Sequence, residues 1–243
     1  MYPGERLNAG THFLGLLAAL PAVGWLALQA LGTGSARRIA VVCVFGAALI
    51  ALFAASTLCH SIRGPRQRLW VRLDHCAIFL LIAGTMTPFA VLTGDGWLRW
   101  VALAAVWLVA LWGIRRTVWG DIERPMLKVY LALGWLATMV CIPALQDLPA
   151  ACVTLFVAGA GAYTAGTYFF ANPRCSRHAH GIWHLFVVAG SGCHVGAVAH
   201  CVLPGCRPRR AAPRRAATTR EIASTRRRRP PRRPLISRPG TGH

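Results

Sequence analysis

Residues 39–59 decide the fold class, and they read IAVVCVFGAALIALFAASTLC with no charged side chain. An α-helix rises about 1.5 Å per residue, so about 20 apolar residues span the hydrocarbon core of a bilayer. This stretch has that length. Inside a membrane, only a helix or a closed barrel satisfies all the backbone polar groups. We therefore predict a transmembrane helix over these residues.

Six further apolar windows of similar length lie along the chain, one before this stretch and five after it. The gaps between the windows contain residues typical of turns, such as Gly32-Thr33-Gly34-Ser35 and Asn172-Pro173. The sequence therefore predicts an all-α fold, a seven-transmembrane helix bundle over residues 1–206. The seven windows are 12–31, 39–59, 76–93, 97–114, 127–145, 149–171 and 182–203.

The composition agrees with a membrane protein, since 55% of the residues are hydrophobic and only 14% are charged. Soluble domains carry about 25% charged residues. Much of the net charge of +20 lies in residues 207–243, which contain thirteen arginines and one acidic residue. We predict that this arginine-rich tail is a disordered second region. It is either an arm for anionic lipid or nucleic acid or an extension without a membrane role. Composition favours the second interpretation, and no nucleic-acid partner is expected.

The distribution of basic residues predicts how the bundle is oriented. The N-terminal side of the predicted membrane domain holds eleven Lys and Arg residues, whereas the loops of the other side hold only Arg37, Arg38 and Arg99. By the positive-inside rule the N-terminus is cytoplasmic and the C-terminus external. We therefore expect a multi-pass protein of the cell inner (plasma) membrane. The arginine-rich tail runs against this orientation, because it would have to be translocated.

Ionisable residues in membrane helices are costly and are candidate functional residues by default. Ser56 and His60 are four residues apart at the end of the second window, as are His180 and His184 at the start of the seventh, and Asp74 precedes the third. In the predicted topology all five lie in the cytoplasmic leaflet. Three histidines at one depth favour a zinc site whose fourth position is open to a water molecule. Asp74 would orient that water molecule. The alternative is a set of ordinary interfacial polar residues.

Two other features of the seventh window are predicted to be structural. His194 lies ten residues past His184, about 15 Å deeper in the membrane, and we expect it to make a hydrogen bond between helices. Gly192 and Gly196 are four residues apart and are typical of a close helix-packing face.

At these residues the sequence resembles the hemolysin III family, the bacterial branch of the progestin and adipoQ receptor superfamily. The resemblance covers roughly residues 1–206 and leaves out the arginine-rich tail. The matching motifs are Glu5-Arg-Leu-Asn8-Ala-Gly-Thr11-His12, Ser56-Thr-Leu-Cys-His60, Leu73-Asp74-His75 with the later Thr87-Pro88, and His180-Gly-Ile-Trp-His184 followed by His194.

The resemblance implies zinc held by His60, His180 and His184 near the cytoplasmic face. It places Asp74 near the zinc-bound water and Ser56 one turn from the first ligand. It also implies three hypotheses for function. The first is a zinc-dependent, ceramidase-like hydrolase acting on an amide or ester of a membrane lipid, with Asp74 and Ser56 as catalytic residues and a role in membrane-lipid homeostasis. The others are a pore-forming, haemolytic protein and a lipid sensor, both with structural zinc.

Overall fold

A computed structural model of the chain describes residues 5–93, 96–120, 125–145 and 148–203. The predicted arginine-rich tail lies outside these residues. Within them the fold is all-α, with seven helices and no strand, which confirms the predicted fold class. The helices are α1 (Arg6–Gly32), α2 (Ala36–Ser61), α3 (Gln67–Leu92), α4 (Leu98–Trp119), α5 (Leu127–Leu145), α6 (Ala150–Ala171) and α7 (Ala179–Val202).

Six of these helices are long and apolar enough to cross a membrane. The exception among the described residues is α5, whose apolar part is the shorter stretch Leu127–Cys141. Three helices extend well past the predicted windows: α1 begins at Arg6, α3 begins at Gln67 and α4 ends at Trp119. Hydropathy detects only the apolar part of a helix, whereas these helices continue into polar residues beyond it.

Local sequence explains where α2 and α3 begin. Gly34 has a positive φ of 64°, which favours glycine, and it reverses the chain after α1. The Ser35 side chain then accepts a hydrogen bond from the backbone N–H of Arg38 at 3.4 Å and caps α2. Gly64 has a φ of 88° and makes the corresponding turn before α3. The polar ends of α2 and α3 are therefore held on the same side of the bundle.

The centre of the bundle is α3, which packs against α2, α4, α5 and α7. The core between these helices contains fully buried aromatic residues such as Phe45, Phe79 and Phe89. The first helix, α1, packs against both α2 and α7. It therefore brings together the end of α2 and the start of α7, which carry the predicted site.

Glycines bring α6 and α7 close together, but they are not the predicted pair. A Cβ atom at Gly159 would lie 2.5 Å from the His194 ring and 3.0 Å from the Gly190 carbonyl oxygen. Gly196 does face α6, with Leu155 at 3.0 Å, whereas nothing lies within 4 Å of a Cβ at Gly192. The prediction for α7 was therefore half wrong. The contact face runs through Gly190 and Gly196.

Candidate metal centre

The structure brings together the three histidines that the sequence singles out. His60 lies in the last turn of α2, and His180 and His184 lie in the first two turns of α7. One ring nitrogen from each of them lies within 4.8 Å of the other two. Nε2 of His60 and Nε2 of His180 are 3.3 Å apart. Two helices that are far apart in sequence thus form one three-histidine group.

A close approach between α1 and α7 makes this arrangement possible. Gly181 lies between the two α7 histidines, and a Cβ there would lie 2.5 Å from the Leu7 side chain and 3.1 Å from the side-chain oxygen of Asn8. A larger residue would require the Leu7 side chain to move or the start of α7 to shift away from α1. Gly181 therefore lets His180 and His184 lie close to the first turn of α1.

Polar groups at the start of α1 fix the orientation of two of the rings. The Nδ1–H of His60 donates to Oε2 of Glu5 at 2.8 Å, and the Nδ1–H of His184 donates to the backbone carbonyl of Asn8 at 2.9 Å. Carboxylates and carbonyls only accept, so in the neutral rings Nε2 carries the lone pair. Both histidines therefore have a fixed tautomer, in which Nε2 is the nitrogen that a metal ion would use.

Glu5 is a residue of the site that sequence reasoning did not single out. Its carboxylate accepts hydrogen bonds from His60 and from the side chain of Asn8, the latter at 2.7 Å. Burial raises the pKa of the Glu5 carboxyl, but the hydrogen bonds from Asn8 and His60 outweigh burial and hold that pKa below its ordinary value. Glu5 is therefore ionised at neutral pH. The available signal was the spacing Glu5-x-x-Asn8, two polar residues on one face at the start of an apolar helix.

These residues fit a zinc ion. Zinc binds histidine nitrogen at about 2.0–2.1 Å, so two nitrogens of a tetrahedral site lie about 3.3–3.4 Å apart. The His60–His180 separation of 3.3 Å agrees with that value. A carboxylate or carbonyl on the far nitrogen of a histidine ligand is also typical of zinc sites, and His60 and His184 have such partners.

Asp74 and Ser56 lie beside the three-histidine group. A carboxylate oxygen of Asp74 lies within 4.8 Å of a His60 nitrogen and of the Cys59 sulfur, and these residues form a second possible group of ligands. Ser56 is 1% exposed and lies one helical turn before His60. Its hydroxyl is close to the Asp74 carboxyl, but no described atom reaches it with hydrogen-bond geometry. Asp74 is therefore grouped by distance with His60 and Cys59, and not with all three histidines.

A cavity opens from the three-histidine group into the bundle. Ser56, Asp74, His180 and His184 line it, together with apolar residues from α2, α3, α5, α6 and α7. His12 also lines it, with its ring stacked on that of His184 at 3.8 Å between centroids. Four of the five predicted site residues therefore face one shared, largely apolar cavity, and His60 is not among its described lining residues.

The fold and the site define this chain as a multi-pass helical membrane protein with a histidine cluster at one end of the bundle. Comparison with known proteins identifies the family to which the chain belongs. The chain belongs to the family described as Haemolysin-III related, whose sequence profile matches residues 2–195. The resemblance found in the sequence is thereby confirmed.

Several curated proteins are similar to the chain over most of its length. Hemolysin-3 of Bacillus cereus is 37% identical over 205 residues, which cover 82% of this chain and 92% of that protein. The Hemolysin-3 homolog of Bacillus subtilis (strain 168) is 37% identical over 206 residues, covering 83% and 94%. The human monocyte to macrophage differentiation factor is 29% identical over 176 residues, covering 64% and 67%.

Proposed function

We propose that this protein is a zinc-dependent hydrolase that cleaves an amide or ester of a membrane lipid at the cytoplasmic leaflet of the cell inner membrane. The observation that carries the proposal is the set of three histidine nitrogens beside a cavity with an adjacent carboxylate. A structural zinc site usually has four protein ligands, whereas three histidines leave one position open. The apolar cavity suits the hydrocarbon part of a lipid.

His60, His180 and His184 would hold the zinc. When bound, zinc lowers the pKa of a water molecule and polarises a carbonyl group. Asp74 orients the attacking water and takes its proton at the carboxylate, and the same carboxyl can then donate that proton to the leaving group. The Ser56 hydroxyl is available to donate a hydrogen bond to the substrate carbonyl oxygen. The apolar wall excludes bulk water and holds the lipid chain.

The positive-inside rule supports the cytoplasmic location. The three-histidine group lies where α2 ends and α7 begins. The connections on that side of the bundle are the ones rich in arginine, with Arg63, Arg66, Arg68 and Arg72 around the α2–α3 turn alone. Membrane-lipid homeostasis is the physiological role that such an activity would serve.

Asp74→Asn is the variant that tests this proposal. Asparagine keeps the shape of the side chain but cannot take a proton. We expect zinc content to stay unchanged while hydrolysis of a long-chain amide falls by roughly 10²–10⁴-fold. A His60→Ala, His180→Ala, His184→Ala triple variant, measured in parallel, should contain no zinc. Loss of zinc in Asp74→Asn would instead make Asp74 a ligand, and zinc retained by the triple variant would refute the site.

A pore-forming, haemolytic function is the second candidate, because two relatives carry the name Hemolysin-3. In that case, or in a lipid sensor, the zinc would be structural. Release of a dye from liposomes containing the purified protein separates the pore from the other two. Dye release that persists in Asp74→Asn, with no amide cleavage in the wild type, would favour the pore. Neither activity in the wild type would favour the sensor.

A further inference from the structure

A second polar position lies deep in the same cavity, far from the three-histidine group. His194 is 6% exposed and is ten residues past His184 on α7, which places it about 15 Å further along the helix. Its Nε2 lies 3.1 Å from the backbone carbonyl of Phe156 on α6. The predicted hydrogen bond between helices is confirmed. That bond uses only one of the two ring nitrogens.

The remaining nitrogen of His194 is a hydrogen-bond acceptor. A backbone carbonyl only accepts, so Nε2 carries the proton and Nδ1 of the neutral ring carries a lone pair. No partner for Nδ1 is present among the described residues, although the atom is buried. Leaving a buried polar group unpaired in a membrane bundle is costly, and an apolar residue would avoid that cost. Because His194 lines the cavity, a ligand hydroxyl is the group that would pair with Nδ1, once the side chains that cover this atom move aside.

The surroundings of His194 are adapted to this ring. Gly159 leaves room for it, because a Cβ there would lie 2.5 Å from ring atoms. Tyr163 packs beside it, with ring centroids 5.4 Å apart, and the Tyr163 hydroxyl pairs with that of Ser191 at 2.8 Å. His194 and Tyr163 both line the cavity that begins at the three-histidine group. A small group of polar side chains is thus built into a largely apolar part of the bundle.

We propose that His194 is a second subsite, which binds a hydroxyl group carried on the hydrocarbon chain of the lipid by accepting its hydrogen bond at Nδ1. An extended chain advances about 1.25 Å per carbon for C–C bonds of about 1.52 Å and angles of about 111°. A distance of about 15 Å therefore corresponds to about 12 carbons. The choice of carbon 12 rests on the proposed function, because the proposed function places the carboxyl end of the lipid at the three-histidine group.

Binding of three matched fatty acids to the purified full chain tests this inference. The probes are octadecanoate, 12-hydroxyoctadecanoate and 2-hydroxyoctadecanoate, each competing with one fluorescent fatty acid in the same micelles. The wild type should bind the 12-hydroxy acid about tenfold or more tightly than octadecanoate, because only that hydroxyl reaches Nδ1. The 2-hydroxy acid should show no such gain. Equal affinity for all three, or an equal gain for both hydroxy acids, would overturn the inference.

Two variants assign the effect to His194. His194→Phe keeps a ring but removes both nitrogens, so the 12-hydroxy preference should fall to about one. His200→Phe is the matched control, since His200 lies in the last turn of α7 and is outside the described lining of the cavity. It should keep the full preference. A preference that survives His194→Phe would refute the subsite, and the wild-type comparison stands even where this variant fails to fold.

His180→Ala separates this inference from the proposed function. Loss of a zinc ligand should weaken the binding of all three acids together and leave their ratio unchanged. Unchanged absolute affinities in this variant would count against the three-histidine group as the carboxyl site. A ratio of one in the wild type counts against His194 alone.

Discussion

Replacing Glu5 by alanine should weaken zinc binding although Glu5 is not a ligand. The Glu5 carboxylate accepts the Nδ1–H of His60 at 2.8 Å, and it thereby fixes the tautomer and the direction of Nε2. Without the carboxylate the His60 ring can rotate or change tautomer. Zinc binding would then have to restore the ring orientation that the metal requires, and the binding free energy would be less favourable by that cost.

The exposure of Glu5 sets the size of the effect. Removing such a partner of a histidine ligand typically costs 10–100-fold in metal affinity. The Glu5 side chain is 41% exposed, so water can replace the carboxylate in part. We therefore expect a loss of zinc affinity at the lower end of this range, about tenfold, which corresponds to about 1.4 kcal/mol of binding free energy. Glu5→Gln keeps an acceptor oxygen but loses the charge, and about a threefold loss is expected for it.

The measurement is competition for zinc between the purified protein and a chromophoric chelator at neutral pH. Asp95→Ala is the matched control, because it removes the same charge from the α3–α4 connection. Asn8→Ala removes one hydrogen bond to Glu5 but keeps the backbone carbonyl that orients His184, so its effect should be smaller than that of Glu5→Ala. Wild-type zinc affinity in Glu5→Ala, with unfolding temperatures of the metal-free proteins matched, would refute the role of Glu5.

Two further predictions concern the bundle. Gly159→Ala should lower the free energy of unfolding by about 1–3 kcal/mol, because the added Cβ would lie 2.5 Å from the His194 ring. Gly192→Ala should have little effect, since nothing lies within 4 Å of a Cβ at that position. Equal unfolding temperatures of the two variants would contradict this prediction. A topology reporter fused after Arg6 should be cytoplasmic and one fused after Pro204 external. The opposite result at either position would show that the basic loops do not set the orientation.

Hydropathy alone was enough to predict the seven helices that the described residues form. It could not predict where α3 begins, because a helix that continues through Arg68 and Arg72 has no apolar signal there. The same limit applies to helix faces. A small-xxx-small pattern marks Gly192 and Gly196, but which side of α7 meets α6 depends on the shapes of both helices, and Gly192 faces away.

The i,i+4 spacing found the histidines, and the predicted topology placed them at one depth. Neither the spacing nor the topology predicts which helix packs between α2 and α7. The structure gives that position to α1, which packs against both. The contacts of Glu5 and Asn8 with the histidine rings follow from this placement, and they are contacts between residues about 55 and 176 positions apart. No local pattern encodes such a pairing.

The position of α1 has a consequence for how the site assembles. His60 belongs to the second helix of the chain, whereas His180 and His184 belong to the seventh, so the three-histidine group exists only after α7 has packed against α1. A metal ion that binds the folded bundle but not its parts stabilises the closed arrangement by mass action. Zinc bound at this group would therefore hold together the second and seventh helices of the bundle, whichever chemistry the open position performs.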